Sequence, residues 1–258
     1  MSKESQTRDE NVMSESPGIG EKALNKAAEI GLSSQLDEVE NLDVNIKTEP
    51  LKMVQGQVDA VEISGEGLVM QKDLRMEELK MQMGNVAINP LSVAFGKIEL
   101  TKPTQASARV VLTENDINRA FNSEYVRSQL QSQKIDINGQ LMSIEPQQVD
   151  FRLLDNQKIW LNATIQLKET SETQKVAFSA IPRVSANGQT VSLENVEYGE
   201  GEEISPELTK ALIDQTSNIL NLSNFDLEGM SLQVKQLQVQ AGKLTLQAEA
   251  YVEQIPSA

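Results

Sequence analysis

Residues 107–121, SARVVLTENDINRAF, contain a strand that passes directly into a helix. The strand residues 109–112 end at Thr113, which is a good helix N-cap. Asp116 follows three residues later, where it can complete a capping box, although Glu or Gln is usual at that position. The helix after the cap has an apolar face formed by Ile117, Ala120 and Phe121. This junction places strands and helices in one chain and points to an α+β protein.

Downstream of the junction, apolar residues alternate at every second position, which is typical of half-buried strands. The alternating segments are 149–153, 159–167, 176–180 and 191–193. Residues 155–158 (DNQK) predict a hairpin turn, and Asn187-Gly188 predicts a type I′ turn.

The C-terminal part predicts one more helix and a last hairpin. Ser205 as N-cap and Pro206 as the first residue predict a helix over 205–222. The final hairpin turns at Ala241-Gly242, and the apolar phase changes between Val234 and Leu237. A change of phase within a strand predicts a bulge.

Upstream of the junction, residues 19–36 predict a helix, with Ile30 on its apolar stripe. A short alternating strand follows at 42–46. Residues 57–88 also alternate, but the phase slips: Val58 and Val61 belong to opposite phases. Such slips predict bulges or sharp bends in long strands.

The order of these elements predicts an α+β fold with an elongated, strongly curved, barrel-like antiparallel sheet and about three covering helices. We expect a single domain over residues 18–255, because no linker interrupts it. Residues 1–17 are polar and predict a disordered tail.

Composition excludes several kinds of site. The chain has no Cys and no His, so thiolate or imidazole catalysis and Cys/His zinc sites are ruled out. No motif predicts a cofactor or a catalytic residue. The formal charge of −15 disfavours nucleic acid as a partner. No apolar run reaches the roughly 18 residues that span a bilayer, and the N-terminus lacks a signal-peptide pattern, so we expect a soluble cytoplasmic protein.

Two features have alternative interpretations. The segment 194–207 contains several Glu and no Lys or Arg, which fits either a cation site or a solvated acidic loop before a helix. Methionines are concentrated between residues 70 and 83, which fits either an ordinary core or an adaptable apolar binding surface.

One short pattern occurs twice, as PLKMVQG at 50–56 and PLSVAFG at 90–96. Pro suits the first position of a short helical turn, and Gly suits a left-handed exit from it. We interpret Pro50, Gly56, Pro90 and Gly96 as one structural corner used twice, alongside the structural pair Thr113 and Asp116. Replacing Gly56 or Gly96 by Val should disturb folding.

The sequence resembles the LmeA-like phospholipid-binding proteins, a former domain of unknown function in actinobacteria and cyanobacteria. The resemblance covers roughly residues 20–250. It is carried by LKMVQGQVDAVEISGEGLVM, by VAINPL and above all by ASARVVLTENDINRAFNSEYV. The matching positions are Gly56, Gly67, Leu68, Val69, Asn89, Pro90, Ala108, Arg109, Val110, Leu112, Thr113, Asp116, Ile117, Asn118 and Ala120. The cyanobacterial type, with its long acidic N-terminal extension, is the nearer likeness.

The resemblance implies a fold similar to tubular lipid-binding domains and a non-enzymatic protein that holds the acyl chains of a phospholipid or another acyl lipid. It favours the binding interpretation of the methionines and allows a transient membrane contact. The candidate lining residues are Met76, Leu79, Met81, Met83, Phe95, Leu161 and Phe178. The alternative is an assembly protein that binds an unknown protein partner through its acidic surface.

Overall fold

A computed structural model describes residues 19–70, 72–93, 99–132, 134–200, 204–219 and 230–253. The predicted tail 1–17, the candidate residue Phe95 and the corner residue Gly96 lie outside these ranges. Residues 201–203 of the Glu-rich segment and the end of the predicted helix at 220–222 also lie outside them.

The described residues form short and long helices between strands of up to fourteen residues. In chain order the elements are α1 (Ile19–Ser33), β1 (Asn41–Lys47), α2 (Pro50–Val54), β2 (Gln57–Met70), β3 (Leu74–Ala87), α3 (Pro90–Val93), β4 (Thr104–Thr113), α4 (Glu114–Asn122), α5 (Glu124–Ser132), β5 (Lys134–Ile137), β6 (Gln140–Leu153), β7 (Ile159–Leu167), β8 (Thr173–Val184), β9 (Val191–Tyr198), α6 (Pro206–Ile219), β10 (Met230–Gln240) and β11 (Lys243–Val252).

The strands form two antiparallel sheets, with a curled, half-barrel arrangement. Sheet 1 has the order β1-β2-β3-β4-β11-β10, and sheet 2 has the order β5-β6-β7-β8-β9. In sheet 1, β4 pairs with β11 from Thr104↔Val252 to Thr113↔Lys243, which brings distant parts of the chain together. The predicted α+β class with a curved antiparallel sheet is confirmed.

The longer helices cover the sheets in three places. Helix α1 packs on sheet 1 through Leu24, Ala28 and Leu32. Helix α6 packs on sheet 2 through Leu208 and Ala211. Helices α4 and α5 are separated only by Ser123 and contact β6.

The predicted bulge in the last hairpin is confirmed, because the register of β10 against β11 shifts between Val234 and Gln236. The phase slip in β2 and β3 has another origin. The register is the same on both sides of Asp59 and Asn85, but these two residues drop out of the ladder and Asn85 has a φ of 52°. The slip is therefore a bend in both strands and not an inserted residue.

Two expectations are wrong in detail. The turn at Asn187-Gly188 is not type I′, since only Gly188 has a positive φ. Strand β8 ends at Val184 and β9 begins at Val191. The loop between them is held to β10, because the Gly188 carbonyl oxygen accepts from Val234 N at 2.8 Å. Ile30 is not on the buried face of α1, because its side chain is 62% exposed.

Candidate functional site

One face of sheet 1 is apolar across all six strands. Residues that pair directly across strands point to the same side of a sheet. Read in spatial order, the central row is Val44, Ile63, Met81, Ala108, Ala248 and Val234. The row on one side of it is Leu42, Gly65, Leu79, Val110, Leu246 and Leu237. The row on the other side is Ile46, Val61, Met83, Ala106, Ala250 and Leu232.

The opposite face of sheet 1 is polar in the same region. The row next to the central one reads Asn45, Glu62, Gln82, Ser107, Glu249 and Gln233. Strict alternation of apolar and polar residues over six strands means that the sheet separates two environments.

Local backbone changes keep the apolar side chains on one face. At Gly67 the φ is +58°, and a Cβ there would lie 2.2 Å from Glu40 Cδ, so both the conformation and the space require glycine. Leu68, the next residue, is fully buried. Its side chain lies on the same face of β2 as Gly65, since a Cβ on Gly65 would be 2.7 Å from Leu68 Cδ1. Its partner Met76 therefore points to the same side as Leu79.

Two packed clusters cover the ends of this apolar face. At one end, α1 packs over Val44, Ile46, Val58 and Val86. At the other end, Leu237, Val239 and Leu244 pack against sheet 2, with Leu153, Ile159, Phe178 and Ala180. Between the clusters lie six partly exposed apolar residues, which we term the apolar floor: Leu79, Met81, Ala108, Val110, Leu246 and Ala248.

The structure brings most of the candidate lining residues to this face. Met76, Leu79, Met81 and Met83 all lie on β3, and each is partly exposed. Leu161 and Phe178 pair directly on sheet 2 and belong to the cluster that covers one end of the floor.

Sequence reasoning missed the four of the six floor residues that β4 and β11 supply. Ala108, Val110, Leu246 and Ala248 alternate with polar residues as clearly as β3 does. The alternation was visible, but nothing in the sequence showed that β11 lies beside β4.

A cavity of about 640 Å³ lies against sheet 1. It is lined mainly by residues of the polar rows, among them Glu62, Gln82, Ser107, Gln233 and Glu249. The outer apolar row also contributes to its lining, with Val61, Met83, Ala106 and Ala250. Carboxylates and amides are poor surroundings for hydrocarbon, because they would lose water without gaining partners. The apolar floor has no carboxylate or amide side chain among its six residues.

The sequence model of the LmeA-like phospholipid-binding family matches residues 18–249. This chain belongs to that family. No curated protein and no solved structure matched it.

The strand–helix junction of this LmeA-like protein is built from side chains that bind backbone. The Thr113 hydroxyl accepts from Asp116 N at 3.2 Å, and Asp116 Oδ2 accepts from Thr113 N at 2.8 Å, which completes the capping box. Glu114 Oε1 accepts from Leu153 N at 3.0 Å. The acidic residues of this motif thus connect α4 to its own start and to sheet 2.

Asn118 joins α4 to the edge of β6 that β5 leaves uncovered. Its Oδ1 accepts from Phe151 N at 2.9 Å, and its Nδ2 donates to Phe151 O at 2.8 Å. The side-chain amide therefore binds the strand as a neighbouring strand would. This role gives the asparagine of the motif a structural explanation.

We predict that Asn118→Ala lowers the free energy of unfolding by about 2 kcal/mol, because it leaves both polar groups of Phe151 without these partners. Asn122→Ala is the matched control on the same helix, since Asn122 is exposed, donates to Asn118 O and accepts from Arg127 Nη2 at the surface. It should change stability by no more than about 0.5 kcal/mol. Urea unfolding of both variants measures the difference, and equal costs would contradict the assignment.

Arg75 is the centre of the charged network at this junction. Hydrogen bonds from Arg75 to Glu40, Glu77 and Asp116, in that order of effect, raise the pKa of Arg75 above its ordinary value. Asp116 is 3% exposed, and its Oδ1 lies 2.8 Å from Arg75 Nη1. The network fixes β3 against α4.

Two glutamates in the described part of the Glu-rich segment form ordinary surface pairs. Glu197 accepts from Lys158 Nζ at 2.7 Å, which lowers the pKa of Glu197. Glu194 lies 3.5 Å from Arg183 Nε. Across the residues that the structure describes, no group of three or more acidic residues could hold a metal ion.

None of the helices within the described ranges is long and apolar enough to cross a membrane.

Proposed function

We propose that this LmeA-like protein holds a phospholipid, or another acyl lipid, with its acyl chains on the apolar floor and without catalysing a reaction. The observation that carries the proposal is the continuous apolar face of sheet 1, left partly exposed between two packed clusters. Membership of a phospholipid-binding family supports it.

The floor has the chemistry that an acyl chain needs. Six apolar side chains from β3, β4 and β11 form a surface with no charged group among them. Ala108 and Ala248 pair in its middle, so small side chains leave space between Met81 and Val234. Methionine on one side can adapt to chains of different length and unsaturation.

The candidate lining residues have different roles in this proposal. Leu79 and Met81 contact the chains directly, and Met76 and Met83 extend the same face along β3. Leu161 and Phe178 close one end from sheet 2. Residues 18–255 act together as one lipid-binding domain, and neither a cofactor nor nucleic acid takes part.

Hydrophobic transfer alone can hold such a ligand. Each buried methylene contributes about 0.8 kcal/mol, so a chain buried over ten carbons gains about 8 kcal/mol before the costs of ordering it. No ion pair or metal is required for this gain.

Native mass spectrometry of the purified protein, followed by lipid extraction, tests the proposal. We expect a species heavier by the mass of one lipid, with phospholipid in the extract. Lipid-free protein that also fails to take up phospholipid delivered in detergent would contradict it. Retention of a protein partner by lipid-free protein would favour assembly through the acidic surface instead.

A further inference from the structure

The two copies of the Pro-Leu corner lie at the same end of the β2–β3 hairpin. Helix α2 comes immediately before β2, and α3 comes shortly after β3. Gln57 pairs with Ala87, and Ile88 N donates to Gly56 O at 2.7 Å. Helices α2 and α3 therefore lie at the same end of the hairpin, away from its turn.

Both corners present large apolar side chains to solvent. Leu51 is 77% exposed, Val54 79% and Leu91 74%, the highest values among large apolar side chains in the described ranges. We term these three residues the apolar tip. Single exposed apolar residues are common, but three on two adjacent corners are typical of an interaction surface.

The tip has almost no charge in a chain whose formal charge is −15. The stretches 50–58 and 81–93 contain no acidic residue and one basic residue, Lys52. Lys52 Nζ lies 2.9 Å from Asp59 and 3.5 Å from Glu49, so its charge is neutralised and the two carboxylates leave a small negative excess beside the tip. An anionic membrane repels the acidic surface of the chain, and a tip with no unpaired basic residue in these stretches suits a zwitterionic membrane.

The tip is also continuous with the apolar face. Val58 and Val86, which pair where the corners end, are buried in the cluster under α1 together with Met83. Met83 is the neighbour of Met81 on the same face of β3. The apolar face therefore runs from the corners to the floor; α1 covers Val58 and Val86, and Met83 is the partly exposed side chain between the two.

We propose that the apolar tip docks on a phospholipid bilayer, with Leu51, Val54 and Leu91 inserted at the level between headgroups and acyl chains. The docking itself depends only on the apolar tip. Its purpose, the access of lipid to the apolar floor, rests on the proposed function. The apolar contact, and not charge, supplies the binding.

Cosedimentation with phosphatidylcholine vesicles tests this. We expect wild-type protein to bind, and raising sodium chloride from about 0.1 to about 0.5 M should leave binding unchanged. The double variant Leu51→Ser, Leu91→Ser should bind at least about tenfold more weakly, since it loses most of the inserted apolar area. The matched control is Ile30→Ser, Leu141→Ser, which removes two side chains that are each 62% exposed and lie elsewhere.

Several outcomes would overturn the proposal: wild-type protein that does not bind these vesicles, equal losses in both double variants, or binding that disappears in salt. Sedimentation equilibrium gives a further outcome of this kind. If wild-type protein is a dimer and the tip variant is a monomer, the tip contacts a second copy of the chain and not a bilayer. Native mass spectrometry with lipid delivered in detergent separates the two proposals. If the tip serves only for docking, the double variant Leu51→Ser, Leu91→Ser carries as much lipid as wild type. Wild-type protein that is lipid-free but still sediments with vesicles contradicts the proposed function and leaves the docking proposal intact.

Discussion

Replacing Arg75 by methionine (Arg75→Met) is expected to lower the free energy of unfolding by about 3 kcal/mol, because it leaves a buried carboxylate without its cation. Asp116 is 3% exposed, and Arg75 supplies the partner of its Oδ1 at 2.8 Å. The other oxygen keeps its bonds to Thr113, so the loss falls on one side of the carboxylate. Urea unfolding measures it.

Arg109→Met is the matched control on the neighbouring strand. Arg109 pairs with Glu78 at 2.9 Å, but the two side chains are 42% and 26% exposed. Water replaces this contact easily, so the variant should cost no more than about 1 kcal/mol. Adding Asp116→Asn to Arg75→Met should restore part of the loss, since the unpaired charge is then gone. Equal costs for Arg75→Met and Arg109→Met would show that Asp116 does not depend on its partner.

Local patterns in the sequence predicted the elements well. Thr113 and Asp116 predicted a helix start, and the capping box is present. The change of phase between Val234 and Leu237 predicted a bulge, and the register shifts there. Both features depend on residues a few positions apart, which is why the sequence could show them.

Features set by distant contacts could not be predicted in the same way. Gly188 binds Val234 on another sheet, and this contact favours a longer loop than the type I′ turn that Asn187-Gly188 indicates. The pairing of β4 with β11 brings together four of the six residues of the apolar floor, and no periodicity within either strand specifies its neighbour. The sequence could therefore predict Met81 as a candidate and not Ala248.

The side of sheet 1 that receives lipid can be tested with one ring placed on either face of β4. Ala108→Phe adds a ring to the apolar floor, between Met81 and Ala248. If the ring displaces about three methylenes of the acyl chain, the loss is about 2.4 kcal/mol, or about fifty-fold in Kd. Titration with phospholipid in detergent, read by native mass spectrometry, measures the change.

Ser107→Phe is the matched control, because it adds the same ring one residue earlier, on the polar face and in the wall of the polar cavity. If lipid binds on the apolar floor, we expect Ser107→Phe to bind phospholipid as wild type does. Melting curves of both variants check that they fold. A loss confined to Ser107→Phe would place the lipid in the polar cavity, and wild-type binding by both variants would place it away from β4. The alternation along this one strand, with apolar residues at 106, 108 and 110 and polar ones between them, makes the two faces separable by a shift of a single position.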